Sequence, residues 1–550
     1  MWTEDRLLSS LSTSIRSPES NACETVPSKK NPGRTNLRPR PVYSSLPAIR
    51  ASAHPGRQRS RPVPARRQLA ILLNPILLVL GSIFSPLIAS GQPEPQPVTA
   101  SVDERVELLS IVFRLAGNLE YNLDRLPRYS TDIDRWFALY RNHPAVQMAR
   151  SLAQKQGIRY DAVMAMAISL SPPPELKPLV PFKPGVPEPR WTLAASDRFL
   201  PLLRDFYRTS HFAQFYAEHH PMYRLAEVRF ASTLTAVDFG WYARFYGSAP
   251  NQDWHILLGM NNGSGNYGLR LAYPDGRIEL YSIIGCWSND DSGDPTYPPG
   301  QEYLSTIVHE FSHSFVNPAV AANWSRFGSA QQVYAAVADP MRRLAYGNAQ
   351  TMVNESLVRA AAIVYFQQAG EDSRRNLKRV REQQRLGFFW MDRLVDQLNL
   401  YERERAQYPT FASWIPEAAR FYDQLAPHAV DEAAAFDARC AHVVEIEPQV
   451  NHSQNVDASL RTITIVVDKP LDPGAGYSIN AASDDNDRYP IAGKPSFSDG
   501  GRSIRLPVRL KPNQAYAFEL TPLAFATPDG YPLASYKVEF RTRGTAGHVR

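Results

Sequence analysis

Cysteine is scarce in this chain, with three among 550 residues, and none stands in a C-x-x-C pair. That excludes a disulfide-stapled scaffold and a metal cluster held by paired thiolates. Two of the three, Cys286 and Cys440, lie in the body of the chain; no spacing pairs them, and they read as buried free thiols. Positive charge is also missing where a nucleic-acid binder would need it. The first 67 residues balance to +9 within a net charge of +6, which leaves the remainder at −3. No nucleic-acid partner is expected for that remainder. Those first 67 residues in turn lack any apolar periodicity and are rich in arginine, serine and proline, so residues 1–67 read as a disordered basic leader.

Proline, by contrast, is abundant at 46 residues, and it helps to punctuate the chain. An apolar run from Gln68 to Gly91 follows Arg66 and Arg67 and closes on small residues, the order expected of a secretory signal. The competing reading is an uncleaved membrane anchor, against which Pro75 and Pro86 weigh. Either way the body is exported: periplasmic, secreted, or held at the cell surface by this segment. Residues 92–101 read as a linker. From Val102 to about 440 the pattern is mainly helical, with apolar residues recurring at three and four. One helix is expected from Leu193 to about His220, with the adjacent His219 and His220 as packing or surface residues. Between His255 and Cys286 the period falls to two, interrupted by glycine turns, which predicts a small antiparallel sheet. The acidic group Asp290, Asp291 and Asp294 lacks the spacing of a calcium loop and reads as solvated. Residues 371–400 predict a charged helix packed by Leu377, Val380 and Leu394. From 445 to 542 short alternating strands with proline and glycine turns predict an all-β sandwich. The fold class is therefore α+β.

One stretch carries chemistry: Thr306-Ile-Val-His-Glu-Phe-Ser-His-Ser-Phe-Val-Asn-Pro318. In a helix His309 and His313 lie one turn apart on one face and can converge on one metal ion, with Glu310 beside them as general base. Pro318 is expected to end that helix. Neutral imidazoles with one further ligand suit Zn2+ and leave a coordination position open, the arrangement of a hydrolytic rather than a structural site. No H-x-x-G-x-x-H continuation follows His313, so a third ligand must come from elsewhere. Met352 to Phe366 forms a second, strongly apolar helical pattern that carries Glu355 and Arg359 one turn apart. Glu355 is a candidate third ligand; alternatively it pairs with Arg359 without a metal, or Arg359 orients it. An oxyanion partner is expected, with Tyr346 and His255 as candidates.

The region from about 100 to 440 resembles an uncharacterised bacterial family of exported, zincin-like metallopeptidases classed as a domain of unknown function. The residues that carry the likeness are Val102-Asp-Glu-Arg-Val-Glu-Leu-Leu-Ser, Asn266-Tyr-Gly, Ile284-Gly-Cys-Trp287, His309 to Pro318, and Asn354-Glu355. The resemblance implies a gluzincin-type site, with His309, His313 and Glu355 on zinc and Glu310 as base. The segment from Val456 to Ile465, with Lys469-Pro-Leu after it, is similar to bacterial Ig-like modules. Two functions follow as expectations. One is an exported zinc peptidase acting on a peptide or protein substrate; the other is a non-catalytic surface protein with a structural zinc and an Ig-like binding module.

Overall fold

The computed structural model describes residues 98–247, 252–298, 301–482, 488–522 and 524–544. The leader at 1–67, the apolar run at 68–91 and most of the 92–101 linker lie outside them. The described chain is mixed α+β, with a helical body that surrounds one small sheet and a β-rich C-terminal part. Among the described residues no helix is long and apolar enough to cross a membrane.

Strand β1 (Ala100–Ser101) leads into helix α1 (Glu104–Leu115), whose first turn is capped by Asp103, its carboxylate accepting from the N–H groups of Arg105 and Val106. Nearly all of α1 is buried, and it carries Glu107 into the interior. There Glu107 accepts from the Met260 N–H at 2.7 Å and from the Tyr129 hydroxyl at 2.8 Å, which ties the helix to the sheet. The helix expected over Leu193–His220 is instead broken. It stops at Thr209, and after His211 takes φ +55° two further helices follow, Phe212–Glu218 and His220–Leu234. The apolar residues on both sides of the break still face one core, so the period survives a kink that no glycine signals. His219 packs against the Phe215 and Tyr129 rings, as a packing residue does.

The central sheet contains β2 (Gln252–Gly259), β3 (Tyr267–Ala272) and β4 (Ile278–Gly285) in the order β1-β2-β4-β3. Only β3 and β4 form the expected antiparallel hairpin. β2 runs parallel to β4, from Gln252 opposite Ile278 to Gly259 opposite Gly285, and β1 runs parallel to β2. The expected antiparallel order of β2 and β3 is thus corrected. The segment 260–266 carries the chain across to the far side of β4, which leaves β3 at the edge of the sheet.

Helix α2 (Gln301–Ala322) packs on this sheet and against helix α3 (Ala349–Gln368). It does not end at Pro318, which sits inside it. An interior proline costs about 3 kcal/mol. Val316 and Val320 on either side of it are fully buried, and burial of each such side chain contributes roughly 1.5–3 kcal/mol, which offsets that cost. α3 is apolar around nearly its whole circumference and correspondingly buried, and Asn348 caps it by accepting from the Thr351 N–H. Helix α4 (Ser373–Arg385) follows, with Val380 buried but Leu377 half exposed, so Leu377 is not the packing residue its spacing suggested. Cys286 and Cys440 are free and buried.

The C-terminal strands form two antiparallel sheets that share one hydrophobic cluster, including Ile463, Ile465, Leu506, Phe518, Val538 and Phe540. With β5 (Val443–Glu447), β6 (Thr462–Val467), β7 (Ile479–Ala481), β8 (Ser496–Ser498), β9 (Ser503–Pro507), β10 (Ala515–Leu520) and β11 (Tyr536–Arg541), the orders are β8-β9-β6-β5 and β11-β10-β7. This part meets the helical body at α4. Arg385 donates to the Gly530 carbonyl, and the Arg381 and Arg439 guanidinium groups lie over the Tyr531 ring.

Candidate metal centre

α2 presents His309 and His313 one turn apart, with their Nε2 atoms 3.1 Å from each other. From α3, Glu355 reaches the same point. Its Oε2 stands 3.6 Å from His309 Nε2 and its Oε1 3.5 Å from His313 Nε2. Ligand atoms on one tetrahedral ion with bonds of roughly 2.0–2.1 Å stand about 3.3 Å apart. The three distances bracket that value, so two imidazoles and a carboxylate fit one small divalent cation. Asn317 Oδ1 lies 3.2 Å from His313 Nδ1 and fixes that ring from its other side.

Two carboxylates lie near the imidazoles, and their surroundings separate them. Glu355 is buried, which by itself raises its pKa. The electrostatic influence of His313, Arg359 and His309 and the Tyr346 hydrogen bond outweigh burial and hold it down at about 2. It is therefore anionic at neutral pH. Glu310 is also buried, and burial together with the neighbouring Glu355 charge pushes its carboxyl up to about 8, with the Gly268 N–H drawing it partly back. Burial depresses the His309 pKa to about 3, which keeps its imidazole neutral and able to ligate. The ligand atoms of His309, Glu310 and His313 lie within 4.8 Å of one another. Glu355 meets both rings, and Glu310 lies beside them.

Arg359, one turn from Glu355 on α3, contacts its carboxylate. It pairs with Glu355 at 3.2 Å, and it also donates to the Tyr346 hydroxyl at 2.6 Å and to Gln383 of α4 at 2.8 Å. Tyr346 donates in turn to Glu355 Oε2. The hydroxyl of Tyr346, considered as an oxyanion partner, is thus engaged in orienting Glu355. His255 is placed elsewhere, on β2, with its ring stacked on Tyr281 at 4.7 Å, and it is not part of this cluster. Asp290 closes its own loop, accepting from the N–H groups of Ser292 and Asp294 and pairing with Arg229.

Sequence reasoning quoted Gly268 of β3 only as the last residue of Asn266-Tyr-Gly and gave it no structural role. A methyl group there would fall 1.8 Å from the Glu310 carbonyl oxygen, so α2 lies directly against the strand backbone. Next to it, Ser314 donates to the Leu269 carbonyl at 3.1 Å. The signal available was the glycine inside an alternating run, which marks a close approach of backbones. The cavity at the site has a volume of about 250 Å³ and is lined by Asn266, His309, Glu310, Arg359, Phe366 and Glu382, among others.

Residues 98–420 match a family described as a domain of unknown function, DUF4932. The chain belongs to this family. The DUF4932 region contains the central sheet, α2, α3 and α4, and so every residue of the cluster. The likeness expected over about 100–440 is therefore met by a family whose activity is undefined. No curated protein matches the chain. Among solved structures it is similar to domains 1–6 of the surface layer protein SbsC, at 12% identity over 45% of this chain and 34% of that one, with a TM-score of 0.15. It is likewise similar to the N-terminal part of the bacterial S-layer protein SbsC, at 12% identity over 45% of this chain and 60% of that one, also with a TM-score of 0.15. The chain spans less than two thirds of either, and likenesses at that TM-score carry no argument.

Proposed function

We propose that this DUF4932 protein is an exported zinc-dependent peptidase, with His309, His313 and Glu355 as metal ligands and Glu310 as general base. The observation that carries the reading is the meeting of two imidazoles and a carboxylate at 3.1–3.6 Å, beside a second carboxyl that is not needed as a ligand. Zinc at this position would supply Lewis acidity toward the scissile carbonyl and the attacking water.

The chain's own groups do the rest. In its ionised form, which the positive charge of a bound zinc would favour, Glu310 accepts a proton from the water as its oxygen bonds to the carbonyl carbon. It then delivers that proton to the departing amine as the C–N bond breaks. β3, at the edge of its sheet and against α2, offers main-chain groups along which an extended peptide can lie. Tyr346 and Arg359 hold Glu355 in place. With Glu310 read as the base and not as a fourth ligand, one coordination position stays open, which favours hydrolysis over a purely structural metal. The two C-terminal sheets are read as an Ig-like module, and the segment before residue 92 as the means of export.

The test is cleavage of casein and of a mixed peptide library by the purified chain, with chelator, with zinc restored, and with metal content measured. Chelator-sensitive cleavage that zinc restores is the expected result. One zinc per chain with no peptide cleaved would transfer the protein to the class of surface proteins with a structural metal.

A further inference from the structure

The charges that line the cavity before the metal cluster do not all cancel. Arg359 is paired with Glu355, and Arg379 lies over the Phe366 ring with its guanidinium held by Glu371 at 2.7 and 3.1 Å. Glu310 is accounted for as the base. Glu382, on α4, is the remaining charged group of the wall. Among the described residues no hydrogen bond and no ion pair reaches its carboxylate. The cations near it, Lys378, Arg385 and Arg379, act on it only at longer range, and burial, the larger influence, raises its pKa. Glu382 is part-buried and lines the cavity, so its carboxylate is within reach of a group that enters there. Beside it the wall is apolar, made by Ala362, Ile363 and Phe366. An acidic end and an apolar flank together match a group with a hydrocarbon stem and a cationic head.

We propose that Glu382 is the specificity-determining residue of this cleft and recognises a positive charge on the substrate, either a lysine or arginine side chain near the scissile bond or a free α-amino group. The proposal rests on the peptidase reading for its substrate, but the binding it describes can be measured without hydrolysis. Ala362, Ile363 and Phe366 would cover the stem, while the part-buried Glu382 would form a charge-assisted hydrogen bond with the head.

The experiment compares the full chain with Glu382→Gln and Glu382→Lys, each first checked for metal content and melting temperature. Peptides differing only in lysine, methionine or glutamate beside the scissile bond are offered with free and with acetylated N-termini. The wild type is expected to favour the cationic peptide by about tenfold or more in kcat/KM, mainly through KM. Glu382→Gln should bring that ratio near one, and Glu382→Lys should turn it toward glutamate. If acetylation removes the preference, the cation is the α-amine; if it does not, the cation is the side chain.

In parallel, calorimetry on the chelator-treated full chain measures binding of Ala-Ala-Lys-Ala against Ala-Ala-Met-Ala. A lysine advantage that Glu382→Gln abolishes supports the assignment even where nothing is cleaved, and in that case only the peptidase reading fails. Cleavage or binding with no charge preference, or a preference that survives Glu382→Gln, overturns the role of Glu382 and leaves the peptidase reading standing.

Discussion

The Tyr346 hydroxyl donates to Glu355 Oε2 at 2.9 Å, and Arg359 donates to the same hydroxyl at 2.6 Å. The Glu355 carboxylate is therefore oriented by a side chain nine residues before it in sequence, across a helix boundary. Removing that hydroxyl frees the carboxylate to turn. Tyr346→Phe is expected to weaken metal binding by about 10–100-fold, measured by competition with a chromogenic chelator. Unchanged affinity would show that Arg359 suffices alone.

Glu310→Gln keeps size and most packing but removes the proton acceptor. Metal content is expected to stay at the wild-type level while peptide hydrolysis drops by about 10²–10⁴-fold. A variant that hydrolyses at the wild-type rate would exclude Glu310 as the base.

Gly268→Ala places a methyl group 1.8 Å from the Glu310 carbonyl oxygen, and neither strand nor helix backbone can yield cheaply. The expected loss is about 1–3 kcal/mol in denaturant unfolding, with reduced metal occupancy because α2 carries two ligands. Wild-type stability and occupancy together would mean that the strand and helix are not held in contact in solution.

Burial raises the Glu107 carboxyl to about 7 from 4.5, with the Tyr129 and Met260 hydrogen bonds opposing the rise. Between those values the folded chain binds more protons than the unfolded chain, so stability is greatest below pH 4.5 on this account and falls as the pH rises to 7. The group's full cost above pH 7 is about 3 kcal/mol. Glu107→Gln can accept from Met260 and donate to Tyr129, and it should flatten this dependence. The expected difference is a variant more stable than wild type at pH 8 and similar to it at pH 4.5, read from unfolding curves at both pH values.

The turn before Tyr346 offers a gain in stability. Ala345 takes φ +62°, and the N–H groups of Ala345 and Tyr346 bond back to the carbonyls of Arg342 and Met341, closing the preceding helix. A left-handed residue with a Cβ costs roughly 1–2 kcal/mol. Ala345→Gly should raise unfolding free energy by about 1 kcal/mol; a drop in stability would mean that packing of the Ala345 methyl outweighs its backbone conformation.

The pair of histidines was legible because a helical repeat alone places residues four apart on one face, whatever surrounds them. Glu355 was legible as a charge inside an apolar helix, where a carboxylate needs a reason to be. Tyr346 was not assigned to Glu355 from sequence, since the turn that aims it uses alanine at the position where glycine would have announced it. The β2–β4 pairing was also hidden. Alternation tells which face of a strand is buried and nothing about which strand lies beside it. The run through Pro318 escaped local rules because its compensation comes from Val316 and Val320 packed in the core. That no described residue pairs with Glu382 can be seen only from the folded arrangement of α4 and its neighbours.

Helix α4 holds Gln383 toward Arg359 on one side and Arg385 on the Gly530 carbonyl on another. A fragment stopped near residue 440 to isolate the helical part would strip Arg381 and Arg385 of their tyrosine ring and carbonyl and loosen the helix that steadies the metal-facing arginine. Dissection of this protein at its apparent seam should therefore damage the centre it aims to isolate, and expression designs do better to retain the terminal strands.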